Sequence, residues 1–222
     1  MTWNKQTLHI VGLNLEIEFS QLQEGLRGLR AFRDQRALEI GERLEQSGIA
    51  GAFEGARAYS NGRLISRTHF ARYLVKVGAA ADERKVFKHF LVNGKPGHVP
   101  GQWASLEDAV HWIHVAGGQA VLAHPARYRM TRSKLRRLLK EFVALGGDAL
   151  EVVSGSHSRD DYYVMAGHAR DFGLLASAGS DFHTPDNPWI ELGRLPPLPD
   201  GCRPVWRDWP VARVVPPAAV AG

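Results

Sequence analysis

Asp181 and His183 stand two residues apart in the segment GSDFH, directly after the apolar run LLASA. In an extended backbone, residues i and i+2 point to the same side, so both side chains could bind one ion or two neighbouring ions. Carboxylate and imidazole groups are ligands that divalent metals accept in enzymes. The alternative is an ordinary polar turn after a buried strand, because aspartate favours turns.

Three further histidines occupy comparable places. His124 follows the run QAVLA in AHP, His157 follows DALEVV in SGSHS, and His9 opens the apolar run HIVGL. Each alone could be a satisfied core histidine, a strand-ending turn or, at His157, the neighbour of a helix cap supplied by Ser156 or Ser158. Their joint occurrence at strand ends favours a shared site. Aspartate and histidine without cysteine suit a catalytic centre of Mn, Fe or Zn.

Such a metal centre would activate a water molecule and neutralise the charge of a phosphoryl group. We therefore expect basic side chains nearby to hold a substrate phosphate, since the planar guanidinium of arginine matches phosphate oxygens. The candidates are Arg67 with His69 in SRTHFA, Arg127 just after AHP, and Arg203. The basic residues within 131–147 are instead predicted to form the solvated face of a helix.

The segments that would position these residues alternate between strands and helices. Apolar runs predict the strands 8–17, 119–123, 148–154, 174–180 and 203–209. Periodicity and caps predict the helices 21–46, 131–147 and 158–173, and one that starts after Ser105. This alternation favours βαβ units and a parallel sheet whose ligands gather at the carboxyl ends of the strands. We expect an α/β unit formed by 1–20 and 101–210, a helical insertion at 21–100 and a flexible tail at 211–222.

Composition places the chain among ordinary globular proteins. It has 222 residues, a net charge of +5 and a single cysteine, Cys202, which excludes an internal disulfide framework and fits a reducing cytoplasm. No apolar run approaches the roughly 20 residues of a membrane span. The sequence contains no GxxxxGK[ST], GxSxG or HExxH motif. We therefore expect a cytoplasmic protein with no membrane partner.

The ordered set HIVGLN, RTHFARYLV, AHPARY, EVVSGSHS, GSDFH and PVWRDW resembles the PHP (polymerase and histidinol phosphatase) superfamily. The similarity is narrower to its bacterial branch of 3′,5′-nucleoside bisphosphate phosphatases and 5′-to-3′ exoribonucleases, and it extends to about residue 209. The resemblance implies an α/β fold, a distorted seven-stranded (β/α) barrel with a helical insertion, and three ions, commonly Mn, Fe or Zn. It also implies that His9 and His124 bind one ion, Asp181 another and His183 the third.

Motifs that the family carries before its HIVGL histidine have no counterpart among the eight residues that precede His9. The family has an HxH there, an aspartate–histidine pair and a GxE whose glutamate bridges two metals. We therefore expect an incomplete barrel, fewer bound metals and near-inactivity in the 222-residue chain, because loss of the bridging glutamate would break the cluster. A truncated product and a natural remnant are the two explanations, and we favour truncation because the remaining motifs look intact.

The resemblance implies a metal-dependent phosphoesterase acting on a nucleotide or short RNA, above all on the 3′-phosphate of nucleoside 3′,5′-bisphosphates. Asp181, His183 and His157 would be catalytic. The residues implied for substrate contact are Arg67, His69, Arg127, Ser156 and Arg203. The alternatives are 5′–3′ trimming of RNA and a degenerate domain that binds phosphate or nucleic acid without turnover. An unrelated single-metal hydrolase would need another carboxylate such as Glu151, whose direction the alternation in ALEVVS leaves open.

Overall fold

The computed structural model describes residues 1–4, 6–60, 64–101, 103–182 and 191–210. Their contacts divide the chain into two compact units. The first unit contains Met1–Phe19 and the residues from Ser105 onward, and the second is Ser20–Ala104. His183 and the segment 211–222 lie outside the described residues, so what was expected of them stays a prediction.

The first unit is built on a four-stranded sheet with the strand order β3-β4-β5-β6. Its strands are β3 (Ile10–Leu13), β4 (Gln119–Leu122), β5 (Ala149–Ser154) and β6 (Leu175–Gly179). β4, β5 and β6 run parallel, as predicted, whereas β3 is antiparallel to β4. The prediction of a uniformly parallel sheet is therefore wrong at β3. The reason is the connection between β3 and β4. It is not the single crossover helix that makes two neighbouring strands parallel in a βαβ unit.

Two predicted strands are shorter than expected. β3 occupies only the middle of the segment 8–17, and it is an edge strand whose Val11 is 42% exposed. The segment 203–209 contributes one parallel bridge, between Ala176 and Pro204. Proline has no backbone N–H to continue a ladder, so this segment does not become a full strand. Two short strands that the sequence did not predict, β1 (Thr2–Trp3) and β2 (Gln6–Thr7), pair antiparallel.

Three helices pack with this sheet around one apolar core: α5 (Leu106–Val115), α6 (Arg132–Ala144) and α7 (Arg159–Asp171). Their starts are fixed by Ser105, Thr131 and Ser158, whose hydroxyl groups each accept a hydrogen bond from a backbone N–H three residues later. The side chains of α6 predicted to face the core are buried, namely Leu135, Leu138, Leu139 and Phe142. The α/β class is confirmed, and the barrel stays a prediction.

The second unit is helical. It consists of α1 (Ser20–Gln46), α2 (Ala52–Arg57), α3 (Arg67–Lys76) and α4 (Glu83–Val86), the last continued by one π-helical turn at Phe87–Leu91. The unit has its own core, which includes the fully buried Leu44, Phe70 and Leu74. Within the described ranges of both units, no helix is long and apolar enough to cross a membrane.

Candidate active site

Polar side chains collect at one edge of the sheet. The carboxyl ends of the parallel strands β4, β5 and β6 lie at this edge. Because β3 is antiparallel to β4, its amino end lies at the same edge. His9 precedes β3, and its backbone carbonyl oxygen accepts a hydrogen bond of 3.0 Å from the backbone N–H of Ala123, the residue that follows β4.

His9 and His124 form the centre of this edge. Nδ1 of His9 lies 3.0 Å from Nε2 of His124, and the two rings meet edge to face with centroids 4.8 Å apart. The hydroxyl oxygen of Tyr128 accepts a hydrogen bond of 2.8 Å from the backbone N–H of His9. Burial raises the pKa of Tyr128, so its hydroxyl stays protonated. The sequence placed both histidines at a shared site, and Tyr128 is a supporting residue that it missed.

His124 is held in an unusual environment. It is 5% exposed and has a left-handed backbone, with φ 31° and ψ 54°. Its Nδ1 is buried and has no hydrogen-bond partner among the residues that the structure describes. Burial, followed by the neighbouring His9, lowers the pKa of His124. The imidazole is therefore kept neutral, which is the form that binds metal ions.

The side chain of Glu151 on β5 also reaches this edge, next to His124. Its carboxylate accepts a hydrogen bond from the backbone N–H of His124. Burial is the largest cause that raises the pKa of Glu151, to about 7. The ladder between β5 and β6 shifts register between Glu151 and Val153, and such an irregularity re-aims a side chain. The signal that could have found Glu151 is its charge inside an otherwise apolar strand.

Asp181 and Arg127 connect two strand ends. Nη1 of Arg127, in the short 3₁₀ helix Pro125–Arg127 after β4, donates to Oδ2 of Asp181 after β6 at 2.6 Å. The structure therefore brings together two residues that the sequence assigned to metal and to phosphate. The expected extended backbone is wrong at Asp181, because its φ of 54° is left-handed. The expectation that Asp181 and His183 point to the same side of an extended backbone therefore does not apply.

His157 and Ser156 lie on the turn after β5. Nε2 of His157 accepts a hydrogen bond of 3.3 Å from the backbone N–H of Ala126, and its Nδ1 lies 3.2 Å from the carbonyl oxygen of Val152. Both ring nitrogens of this buried histidine are thus engaged by backbone groups. These contacts fix the orientation of the imidazole, and the catalytic role of His157 stays a prediction. The hydroxyl of Ser156 pairs with that of Ser154 at 3.1 Å.

The structure does not bring Arg203 to this edge. Arg203 donates from Nη2 to the carbonyl oxygen of Gly173 at 2.7 Å, which places it at the amino end of β6, opposite Asp181. Arg67 and His69 belong to the second unit. There, Nδ1 of His69 accepts a hydrogen bond of 3.2 Å from the backbone N–H of Ser66 and so caps α3.

Known proteins with similar sequences identify the family. A scan against models of protein families finds no match. The chain is 50% identical over 219 residues to a 3′,5′-nucleoside bisphosphate phosphatase of Chromobacterium violaceum, an alignment that covers 98% of this chain and 76% of the relative. It is 46% identical over 207 residues to the 5′-3′ exoribonuclease Rnm of Escherichia coli, covering 93% of this chain and 70% of the relative. This chain belongs to the PHP superfamily.

A solved structure agrees with this membership. An amidohydrolase of Chromobacterium violaceum, with bound sulfate and no metal, superposes with a TM-score of 0.83 at 51% identity. The superposition covers 93% of this chain and 72% of that chain. The predicted membership of the PHP superfamily, in its nucleotide-phosphatase and exoribonuclease branch, is therefore confirmed.

Two of the described residues have a geometry that could suit metal binding. The facing nitrogens of His9 and His124, 3.0 Å apart, could each lie about 2.1 Å from one shared ion. In the part of the chain that the structure describes, no group of three or more His, Cys, Asp or Glu side chains could hold an ion together. The pair therefore fits two ligands of one ion. The three-ion centre of the family and the smaller number expected here stay predictions.

Proposed function

We propose that this chain is a metal-dependent phosphoesterase that removes the 3′-phosphate from nucleoside 3′,5′-bisphosphates. The observation that carries the proposal is 50% identity, over 98% of the chain, to a 3′,5′-nucleoside bisphosphate phosphatase. The described edge of the sheet supports it, because it holds a histidine pair, two carboxylates and an arginine. We also propose that the sheet is part of the distorted barrel of the PHP superfamily, with the second unit as its helical insertion.

In this proposal His9 and His124 hold one divalent ion, with Asp181 and His183 as ligands of others. Mn, Fe and Zn all fit a donor set of nitrogen and oxygen without sulfur. Bound ions would supply an activated water and neutralise charge on the phosphoryl group. The neutral state of His124, maintained by burial, keeps a nitrogen lone pair available for this purpose.

Arg127 is the residue we assign to the phosphoryl oxygens. Its side chain is half exposed at the edge of the sheet, and its guanidinium reaches Asp181. Arginine offers five N–H donors in a planar fork, so it can bind phosphate oxygens by two parallel hydrogen bonds. His157 supports this residue indirectly, since it fixes the backbone N–H of Ala126, the neighbour of Arg127.

Trimming of RNA from its 5′ end is the second candidate, favoured by 46% identity to a 5′-3′ exoribonuclease. Both substrates present a phosphate beside a ribose and a base, so the same centre could act on either. The two activities are separated by offering adenosine 3′,5′-bisphosphate and short 5′-phosphorylated RNA to the purified protein with Mn²⁺. We expect the low activity of the 222-residue chain to release inorganic phosphate from the bisphosphate without shortening the RNA.

The variant Arg127→Gln tests the assignment of the phosphate contact. We expect kcat/KM for the bisphosphate to fall by roughly 10²-fold, as is typical when a charged hydrogen-bond donor to a reacting phosphate is lost. Arg129→Gln is the matched control, since Arg129 is exposed two residues further along the chain. In the unmodified protein, release of mononucleotides from RNA faster than release of phosphate from the bisphosphate would favour the exoribonuclease activity.

A further inference from the structure

The first unit contains a groove beside α7 that the catalytic edge does not account for. It has a volume of about 620 Å³ and lies between α7 and the segment 196–200. Three prolines and Leu198 form much of the side opposite α7. Two tyrosines and two arginines of α7 line the other side, namely Tyr162, Tyr163, Arg159 and Arg170.

The groove begins near the catalytic edge of the sheet and leads away from it. Tyr162 lies in the first turn of α7, and its hydroxyl donates a hydrogen bond of 3.4 Å to the carbonyl oxygen of Ser154, the last residue of β5. Its ring centroid lies 6.5 Å from that of His157. Near the other end of α7, Nη1 of Arg170 donates to the carbonyl oxygen of Asp200 at 3.3 Å. The groove therefore runs from the turn after β5 to the far end of α7.

Tyr163 offers an aromatic ring to a ligand in the groove. It is 59% exposed, whereas the neighbouring Tyr162 is partly buried and held by its hydroxyl. Every nucleobase has a π face, so stacking on such a ring does not depend on base sequence. The proline-rich side carries few backbone N–H groups, and the other side is a helix whose backbone is already hydrogen-bonded. Neither side can therefore pair with a peptide backbone as a free sheet edge does.

The two arginines give the groove the charge that complements a phosphodiester chain. Arg159 and Arg170 are exposed, and neither forms an ion pair with a carboxylate among the described residues. Asp200 is the one acidic residue among the described residues that line the groove, and it meets Arg170 through its carbonyl oxygen. A guanidinium group can bind phosphate oxygens and also stack on aromatic rings. The combination of exposed ring and free cations is the one that binds single-stranded nucleic acids.

We infer that the groove between α7 and the segment 196–200 binds single-stranded RNA. A base stacks on Tyr163, and Arg159 and Arg170 contact phosphates of the backbone. The helix rises about 16 Å between these two arginines, whereas neighbouring nucleotides of a duplex strand are about 3.4 Å apart. The length of the groove thus fits a run of nucleotides. The inference goes beyond the proposed function, because it concerns retention of a polynucleotide outside the metal site and holds for either candidate reaction.

Fluorescence anisotropy of a 3′-labelled oligoadenylate decamer, with EDTA present, tests the groove without turnover. We expect Tyr163→Ala to weaken binding by about tenfold, whereas Tyr163→Phe keeps the ring and the native affinity. Arg159→Gln should weaken binding by about fivefold and reduce the slope of log affinity against log salt by about 0.7, the value for one phosphate contact. The matched controls are Trp206→Ala and Arg84→Gln, which alter exposed residues that do not line the groove and keep the native affinity.

The length and the strandedness of the probe separate stacking from attraction of charge alone. The decamer should bind at least tenfold more tightly than a dinucleotide, and at least tenfold more tightly than a duplex, whose bases are not free to stack. Tyr163→Ala should remove most of both differences, with an unchanged thermal unfolding midpoint because the side chain is exposed. Native affinity in Tyr163→Ala and Arg159→Gln would overturn the inference, as would equal binding of duplex and single strand. Tighter binding of a DNA decamer would overturn RNA as the occupant.

The outcome for the groove is distinguishable from that for the proposed function. Release of phosphate from the bisphosphate is measured on the unmodified protein with Mn²⁺ and without RNA. Absence of phosphate release, together with binding of RNA that depends on Tyr163, would refute the hydrolysis and support the groove. Release of phosphate, together with binding of RNA that is indifferent to Tyr163 and Arg159, would refute the groove and leave the hydrolysis standing.

Discussion

Nδ1 of His9 lies 3.0 Å from Nε2 of His124, although 115 residues separate them in the sequence. The antiparallel direction of β3 produces this relationship, because it brings the start of β3 to the edge where β4 ends. If β3 were parallel to β4, His9 would lie at the opposite edge of the sheet. The two edges are separated by roughly 3.3 Å for each residue of the strand.

Removal of either imidazole tests the shared ion. We expect His9→Ala and His124→Ala each to lower the affinity for Mn²⁺ at least tenfold, because outer-shell partners alone contribute about 10–100-fold. Metal bound to protein at increasing Mn²⁺ is measured by mass spectrometry after gel filtration. His111→Ala, which alters an exposed histidine of α5, is the control and keeps native binding. Native binding in His9→Ala would mean that the pair does not share an ion.

Glu151 is expected to stabilise the backbone at His124. Glu151→Ala leaves a buried N–H without its acceptor, which should lower the free energy of unfolding by about 1–3 kcal/mol. Glu151→Gln keeps an acceptor oxygen and should lose less. Urea unfolding of the two variants measures the difference, with Glu107→Ala on the exposed first turn of α5 as control. An equal loss in both variants would show that the acceptor oxygen is not what matters.

Gly179 is expected to be required for the position of Glu151. A Cβ at Gly179 would lie 2.3 Å from Oε1 of Glu151, so Gly179→Ala must displace that carboxylate and release the N–H of His124. We expect a stability loss of about 1–3 kcal/mol, typical of overpacking, and a larger proportional loss of phosphate release. Gly167→Ala, on α7 with no atom within 4 Å of its added Cβ, should raise stability by about 0.4–1 kcal/mol. Full activity in Gly179→Ala would contradict the role of Glu151.

His168 should make stability depend on pH. It is 4% exposed, and burial followed by Arg136 lowers its pKa below the ordinary 6.5, although Asp171 opposes this shift. The unfolded chain therefore takes up a proton near pH 6.5 that the folded protein rejects, so stability falls as the pH drops through that value. Between pH 7.5 and 5.5 this contribution is at most about 1.4 kcal/mol. Urea unfolding should show a smaller fall in His168→Leu, and an equal fall would exclude His168 as a cause.

The sequence could predict which residues lie at the strand ends, whereas the roles of those residues stay predictions. His124 was found because an apolar run before His-Pro identifies a buried strand and its end. His9 was found from its run as well, even though the expected strand direction was wrong. The direction of a strand in the sheet depends on which strands it pairs with. Strand pairing is set by tertiary structure and cannot be predicted from hydrophobic periodicity.

Glu151 shows where the prediction from periodicity fails. Both faces of β5 are buried, so its apolar residues carry no alternation that would tell one face from the other. The register shift after Glu151 then changes which way the following residues point. Likewise, the left-handed backbone of Asp181 departs from the extended geometry that its spacing to His183 suggested. Local departures of this kind are set by packing and appear only in three dimensions.

The ion pair between Arg127 and Asp181 joins the end of β4 to the end of β6 at 2.6 Å. A cation that takes Asp181 as a ligand competes with Arg127 for that carboxylate, and a phosphate that takes Arg127 competes with Asp181. Metal bound to Asp181 would free Arg127 to bind phosphate, and phosphate bound to Arg127 would free Asp181 to bind metal. By reciprocity, metal and phosphate must then raise each other's affinity by the same factor. If Asp181 binds metal and Arg127 binds phosphate as proposed, the loops after β4 and β6 would favour the state with both ligands bound over the state with either one alone.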